Sequence, residues 1–173
     1  MGYKGTLGNE LNPIQLNWVR ASNVEVYVVS GSTKWGHALL GTSSGWFHIT
    51  DPGLTYPRWI ETHLLFKKYL EEDDKYVLGV LEIPDSTFDP DKLRAEIVAS
   101  LRRRWFWGGF VHNCVNYVEY VLQKAGSDFK MEGTNFPVNG LQKAGLMSLN
   151  GVIGNFKRRT KDEAMQAKER LLK

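Results

Sequence analysis

The stretch "VHNCVNYVEYVLQKAG", residues 111–126, contains Cys114, the only cysteine of the chain. Its apolar residues recur with the spacing of one helical face, and Gly126 is a typical residue just past a helix end. The pattern predicts a helix that begins near Asn113. A helix N-terminus lowers the pKa of a thiol and favours the nucleophilic thiolate. A reactive Cys114 would then need a base elsewhere in the chain.

Strand signals precede this helix. Residues 24–30 and 75–83 are rich in β-branched and apolar side chains, and each run predicts a strand. Residues 35–40 and 45–50 predict a hairpin joined by the four-residue loop 41–44. Together with the helix signals, this order favours an α+β fold with a mainly antiparallel sheet packed against helices.

Three further helices are predicted, at 60–72, 88–105 and 161–173. The second has the clearest start, because Asp89 is a favoured cap and Pro90 suits the first helical position. The third carries many charges and forms the tail of the chain.

The length of 173 residues predicts a single domain, 1–173. Residues 1–22 are polar and irregular, and we interpret them as an N-terminal arm. The core is predicted at 24–126, and 127–173 forms a C-terminal extension that ends in the charged tail helix. Residues 51–59 read as a turn-rich loop.

Composition excludes several classes of function. The net charge of +3 at pH 7 is too small to indicate nucleic-acid binding. No apolar run approaches the roughly 20 residues that span a bilayer, so no stable membrane insertion is expected. A single cysteine rules out an intramolecular disulfide and a multi-cysteine zinc site.

Two histidines lie on the two arms of the predicted hairpin, His37 and His48. Counting outward from the loop 41–44 places them opposite one another, with Cβ atoms about 5 Å apart. One histidine could then orient the other as a base, whereas a register slip of one residue would separate them to opposite faces. Ordinary polar strand residues are the alternative interpretation. His112 and Asn113 are supporting candidates because they immediately precede Cys114.

The segments "WGHALL" (35–40), "WFHI" (46–49) and "HNCVNYVEYVLQKAG" (112–126) resemble the circularly permuted branch of the NlpC/P60 papain-like cysteine hydrolases. This branch includes the lecithin:retinol acyltransferase-like proteins. Ordinary members have the cysteine helix first, whereas here the histidines come first, which is the permuted order. The resemblance covers 24–126.

The resemblance implies a papain-like fold with the catalytic cysteine at a helix N-terminus. It implies Cys114 as nucleophile, His37 as base and His48 as the residue that orients His37. An acyl-enzyme would form, without any metal or organic cofactor. Trp35, Trp46 and Trp107 flank the motifs and are candidates for a substrate groove, with core packing as the alternative.

Bacterial members of this superfamily cut peptide or amide bonds in peptidoglycan, so the resemblance implies an amidase or endopeptidase on such peptides. The N-terminus shows no signal peptide. The chain would then be made in the bacterial cytoplasm and delivered to a target periplasm as a type VI secretion effector, with an immunity or secretion protein as partner.

Two other functions remain open on the residues alone. One is a lipid-acting thiol hydrolase or acyltransferase, which the permuted order also permits. The other is a binding module that keeps the fold without catalysis. The intact set of one cysteine and two histidines argues against the module, and the lack of a strongly apolar lid favours a polar substrate.

Overall fold

The computed structural model describes residues 2–31, 36–108, 113–131 and 137–173 and has an α+β fold. Its strands are β1 (Thr6–Leu7), β2 (Glu25–Ser30), β3 (His37–Thr42), β4 (Gly45–His48), β5 (Gly53–Thr55), β6 (Arg58–Ile60), β7 (Tyr76–Glu82), β8 (Trp105–Trp107) and β9 (Phe156–Arg158). Its α-helices are α1 (Pro13–Leu16), α2 (His63–Glu71), α3 (Pro90–Leu101), α4 (Cys114–Lys124), α5 (Pro137–Gln142), α6 (Ala144–Leu149) and α7 (Lys161–Leu172).

The main sheet has the strand order β1-β6-β4-β3-β2-β7-β9, and its neighbouring strands are antiparallel. β5 and β8 form a separate antiparallel ribbon. The mainly antiparallel sheet predicted from the sequence is therefore confirmed. Among the described residues, no helix has the length and apolar character needed to cross a bilayer.

Capping residues determine where the helices begin. The Asp89 carboxylate accepts hydrogen bonds from the first amides of α3, and Pro90 occupies the first helical position as predicted. Helix α2 begins at His63, later than predicted, because Ile60 pairs with β4 as part of β6. The Thr62 hydroxyl caps it by accepting from the Leu65 amide at 3.2 Å.

Short strands lie where the sequence predicted irregular chain. The arm 1–22 contains β1 and α1, and the loop 51–59 contains β5 and the first part of β6. The extension 127–173 contributes β9 to the edge of the main sheet beside β7. The arm and the extension therefore take part in the sheet that carries the core.

The two faces of the main sheet carry different cores, because successive strand residues point to opposite sides. On one face, Ala38, Leu40 and Phe47 pack in a broad apolar cluster with helices α3 and α4. On the other face, Leu39 and Trp46 pack in a smaller, aromatic cluster with α2. We call these the α4 face and the α2 face.

Candidate functional site

Cys114 is the first residue of α4, and Asn113 is its cap. Asn113 Oδ1 accepts from the Val115 amide at 2.9 Å and from the Asn116 amide at 3.3 Å. The Asn116 side chain returns the contact by accepting from the Asn113 amide at 3.0 Å. This reciprocal capping box fixes the helix start and thereby the position of the thiol. The predicted start of the helix is confirmed, and Asn113 is its cap.

The thiol is enclosed, since Cys114 is only 5% exposed. Its Sγ accepts a hydrogen bond from the Ala38 amide at 3.4 Å, a contact between α4 and β3. Burial raises the pKa of the Cys114 thiol to about 11, although the amides of Ala38, Val115 and Cys114 itself pull that pKa down. The direction is opposite to the lowered pKa expected from the sequence, because desolvation outweighs the helix-start amides.

The hairpin that carries the histidines is tighter than predicted. Thr42 pairs with Gly45, so the turn consists of two residues and not of the four at 41–44. The Thr42 hydroxyl accepts from the Ser44 amide at 3.1 Å, which closes the turn. Gly45 has φ of +120°, a conformation that favours glycine. These local contacts explain the shorter loop.

The shorter loop shifts the register by two residues, which preserves the face of every side chain. His37 and His48 are therefore diagonal rather than directly opposite, and they still meet. His37 Nε2 lies 2.7 Å from His48 Nδ1. His48, which is fully buried, places its other nitrogen, Nε2, 2.8 Å from the carbonyl oxygen of Lys4.

The hydrogen-bond partners assign the protons of both rings. A carbonyl oxygen only accepts, so His48 Nε2–H donates to Lys4. Neutral His48 then has a lone pair on Nδ1, and His37 Nε2–H donates to it. Neutral His37 in turn carries its lone pair on Nδ1. The chain of contacts thus makes His37 Nδ1 a proton acceptor.

Burial keeps both rings neutral. Burial first, and then the repulsion that a protonated His48 and the Lys75 ammonium would exert on a second positive charge, lower the pKa of His37 well below its ordinary value. Burial also lowers the pKa of His48 to about 4, although the Lys4 carbonyl opposes this change. Near pH 7 the pair is therefore neutral, which is the form that accepts a proton.

The thiol and the histidine pair belong to different faces of the sheet. Cys114 packs in the α4-face cluster, whereas the His48 ring lies edge-on to Tyr69 of α2, with ring centroids 5.5 Å apart. Among the described residues, no hydrogen bond joins His37 to Cys114. The connection between them is through the main chain. The amide that donates to Cys114 Sγ belongs to Ala38, the residue directly after His37.

An ion-pair network, which no pattern in the sequence predicts, holds the N-terminal arm against His48. Asp51 accepts from Arg58 Nε at 2.7 Å and from Lys4 Nζ at 3.2 Å. Arg58 Nη1 also donates to the carbonyl oxygen of Gly5 at 2.7 Å. These contacts place the Lys4 carbonyl beside the imidazole, although Lys4 lies far from His48 in the sequence.

The tryptophans predicted to line a groove have different outcomes. Trp46 is buried on the α2 face and stacks on Phe66 with ring centroids 4.1 Å apart. Trp35 and His112 lie outside the described residues. Trp107 belongs to β8, and its side chain is outside the described part of the chain. Within the described ranges, no cluster of three histidine, cysteine or acidic side chains could hold a metal ion.

Comparison of the chain with known protein families, with curated proteins and with solved structures gave no match.

Proposed function

We propose that the protein is a cysteine hydrolase of the amidase or endopeptidase class, with a permuted papain-like fold. Cys114 is the nucleophile, His37 the base and His48 the residue that orients His37. The observation that carries this proposal is the hydrogen-bond chain from His37 through His48 to the Lys4 carbonyl, because it leaves the lone pair of His37 on Nδ1. A base held in one tautomer by a second group is the arrangement that thiol and serine hydrolases require.

The pKa directions favour one form of the mechanism. The resting pair consists of a neutral thiol and a neutral imidazole, because burial raises the pKa of Cys114 and lowers that of His37. His37 therefore acts as a general base during the attack, in place of a thiolate–imidazolium pair formed in advance. Because the two groups pack on different faces of the sheet, catalysis requires the His37 side chain, at the first residue of β3, to move until Nδ1 is within hydrogen-bond reach of Sγ.

The proposed reaction has two stages, formation of an acyl-enzyme and its hydrolysis. The proton of the thiol moves to His37 Nδ1 as Sγ bonds to the substrate carbonyl carbon, and the resulting oxyanion accepts from the backbone amide of Cys114 at the start of α4. Collapse breaks the C–N bond, and the leaving amine takes the proton from His37. Water then gives a proton to His37 and attacks the thioester, which releases the acid and restores the thiol.

For the substrate, we propose an amide bond in a peptidoglycan peptide, with delivery as an antibacterial effector and an immunity protein as partner. The support for this substrate and this delivery is the resemblance of the cysteine and histidine motifs to peptidoglycan hydrolases. The lack of a strongly apolar lid in the sequence adds support for a polar substrate over a lipid.

A non-catalytic binding module is the second candidate, and one observation favours it. Cys114 is held by the Ala38 amide on the α4 face, whereas the histidine pair packs on the α2 face. In a purely structural role, the thiol would be a buried core residue, and the buried His48 with the half-buried His37 would be a polar pair that ties the arm to the sheet.

Turnover assays separate the two candidates. The purified protein is incubated with muropeptides and, in parallel, with phospholipid vesicles, and the products are identified by mass spectrometry. We expect new amine termini from muropeptides with the unaltered protein and none with Cys114→Ala or His37→Ala. The matched control is Leu149→Ser in α6, a residue that is 84% exposed. Equal turnover by Cys114→Ala, or no product from either substrate, would exclude the proposed reaction on these substrates.

A further inference from the structure

The ribbon formed by β5 and β8 has two faces with different surroundings. On its inner face, the Trp105 ring lies edge-on to Tyr117 and Tyr120 of α4, with ring centroids 5.3 Å and 4.9 Å apart. Successive strand residues point to opposite sides, and residues directly opposite one another share a side. Leu54 lies opposite Phe106, the neighbour of Trp105, so this pair faces away from α4. Leu54 is 61% exposed and Phe106 is 59% exposed.

A run of three arginines leads from the end of α3 into β8. Arg102, Arg103 and Arg104 are all exposed. Arg103 donates to the Glu96 carboxylate at 2.9 Å. Within the described ranges, neither Arg102 nor Arg104 forms an ion pair. Two positive charges that no acidic side chain of the described chain neutralises therefore precede the exposed phenylalanine of the ribbon.

One of these charges lies over an aromatic ring next to the apolar pair. The Arg104 guanidinium is 5.8 Å from the centroid of the Tyr56 ring, a cation–π contact. Tyr56 is two residues from Leu54, and Arg104 is two residues from Phe106, which is about 7 Å along an extended chain. The exposed end of the ribbon therefore combines a leucine and a phenylalanine with a tyrosine and an arginine.

We infer that the outer face of this ribbon is a docking surface for a membrane that contains anionic phospholipids. Apolar side chains at such a surface enter the boundary between headgroups and acyl chains, and arginines meet the phosphates. Tyrosine and arginine suit the same boundary, since each has an apolar body and a polar end. Nucleic acid would attract the arginines but would give no reason for an exposed leucine. The contact is peripheral, and it does not depend on the proposed hydrolase reaction.

Co-sedimentation of the full chain with lipid vesicles tests the docking surface. The protein should bind vesicles of phosphatidylcholine with about 30% phosphatidylglycerol at least about 10-fold more tightly than vesicles of phosphatidylcholine alone. Most of this binding should be lost when sodium chloride is raised to about 0.5 M, because salt screens the arginines. Equal binding to both kinds of vesicle, or no binding at about 5 mM lipid, overturns the inference.

Variants of exposed residues locate the contact on the ribbon. Leu54→Ser and Phe106→Ser should each weaken binding to the anionic vesicles at least about 5-fold, because less apolar surface enters the bilayer. Arg104→Gln should weaken it about 5-fold. Phe106→Trp and Arg104→Lys keep the aromatic ring and the charge, so each should stay within about 2-fold of the unaltered protein. Circular dichroism confirms that each variant is folded.

Matched controls lie on the opposite side of the main sheet. Leu64→Ser removes a leucine of α2 that is 75% exposed, and Arg170→Gln removes an exposed charge of α7, a helix that packs beside α2. Each should change vesicle binding less than about 2-fold. Losses equal to those of the ribbon variants would show a general effect of hydrophobicity or net charge and would overturn the inference. Tighter binding of a single-stranded oligonucleotide than of anionic vesicles, weakened by Arg104→Gln but not by Leu54→Ser, would assign the arginines to nucleic acid and would also overturn it.

Discussion

The α4 face and the α2 face of the sheet bury opposite kinds of reactive group. The α4 face encloses the thiol of Cys114 in a broad apolar cluster, and burial raises its pKa to about 11. The α2 face encloses the histidine pair beside aromatic rings, and burial lowers the pKa of His48 to about 4. Both faces therefore hold neutral groups at pH 7 for the same reason, because desolvation disfavours the charged form of each group. The same desolvation therefore keeps an acid protonated on one face and a base unprotonated on the other.

Removal of the thiol should have the largest effect. Cys114→Ala is expected to lower hydrolysis at least about 10³-fold, because a nucleophile has no substitute within its catalytic unit. The free energy of unfolding should fall by only about 1 kcal/mol, since the side chain lost is small. Turnover and urea unfolding measure the two effects. A large loss of stability without any loss of turnover would leave Cys114 as a core residue only.

Alkylation of Cys114 tests the α4 face directly. With a pKa of about 11 the thiolate fraction at pH 8 is about 10⁻³, so iodoacetamide should react about 10²-fold more slowly than with free cysteine. The rate should rise about tenfold per pH unit up to the pKa. Alkylation that is quenched at timed intervals and quantified by mass spectrometry gives the rates. Fast labelling near pH 7 would instead show that a thiolate already exists.

Substitution of two neighbouring core residues tests whether the two faces respond independently. Leu39 and Leu40 are both fully buried but pack in different clusters, and each change to alanine should cost about 2–5 kcal/mol of unfolding free energy. Leu40→Ala should also speed alkylation of Cys114, because it loosens the α4 face. Leu39→Ala should instead raise the pKa of His48 towards 6.5, measured by NMR titration. Identical effects of the two variants on both readouts would show that the faces are not independent.

Acid should destabilise the protein through the α2 face. The unfolded chain binds a proton at His48 below pH 6.5, whereas the folded protein does so only near pH 4. Stability is therefore lost as the pH falls through this window, by about 3 kcal/mol for a shift of this size. His48→Gln should flatten the dependence. Urea unfolding at intervals from pH 7 to 4 measures it, and parallel curves for the two proteins would refute the lowered pKa.

The ion-pair network of the arm should contribute least. Asp51 bonds Arg58 and Lys4, but its side chain is 24% exposed. Asp51→Asn should therefore lower the free energy of unfolding by about 1 kcal/mol or less. Thermal unfolding at low and high salt measures the change, which should shrink as salt screens the pairs. A loss comparable to that of Leu40→Ala would mean that the arm is essential to the fold.

Elements with strong local signals could be predicted from the sequence. The start of α4 at Cys114, the cap of α3 at Asp89 and the end signal at Gly126, which has φ of +95°, all depend on residues within one or two turns. The prediction that His37 and His48 share a face was also correct although the predicted loop was too long. The register differed by two residues, and an even shift leaves every side chain on the same face.

Features made by distant contacts could not be predicted. Strands β1, β5, β8 and β9 have two or three residues each, too few for a periodic pattern, and they exist because another strand pairs with them. The thiol pKa depended on how deeply α4 packs, which a helix-start motif does not reveal. Placement of the imidazoles on the α2 face follows from the register of β3 and β4, whereas placement of the thiol follows from the packing of α4 on the other face.

The Lys4 contact to His48 is made by a main-chain oxygen, which every amino acid supplies. A complete scan of substitutions would therefore report position 4 as tolerant, even if the imidazole depends on it. Replacing the Lys4–Gly5 amide with an ester through chemical ligation would weaken that oxygen as an acceptor while leaving the side chains unchanged. The contribution of this position is therefore detected by changing the backbone chemically, whereas changing the side chain by mutagenesis does not detect it.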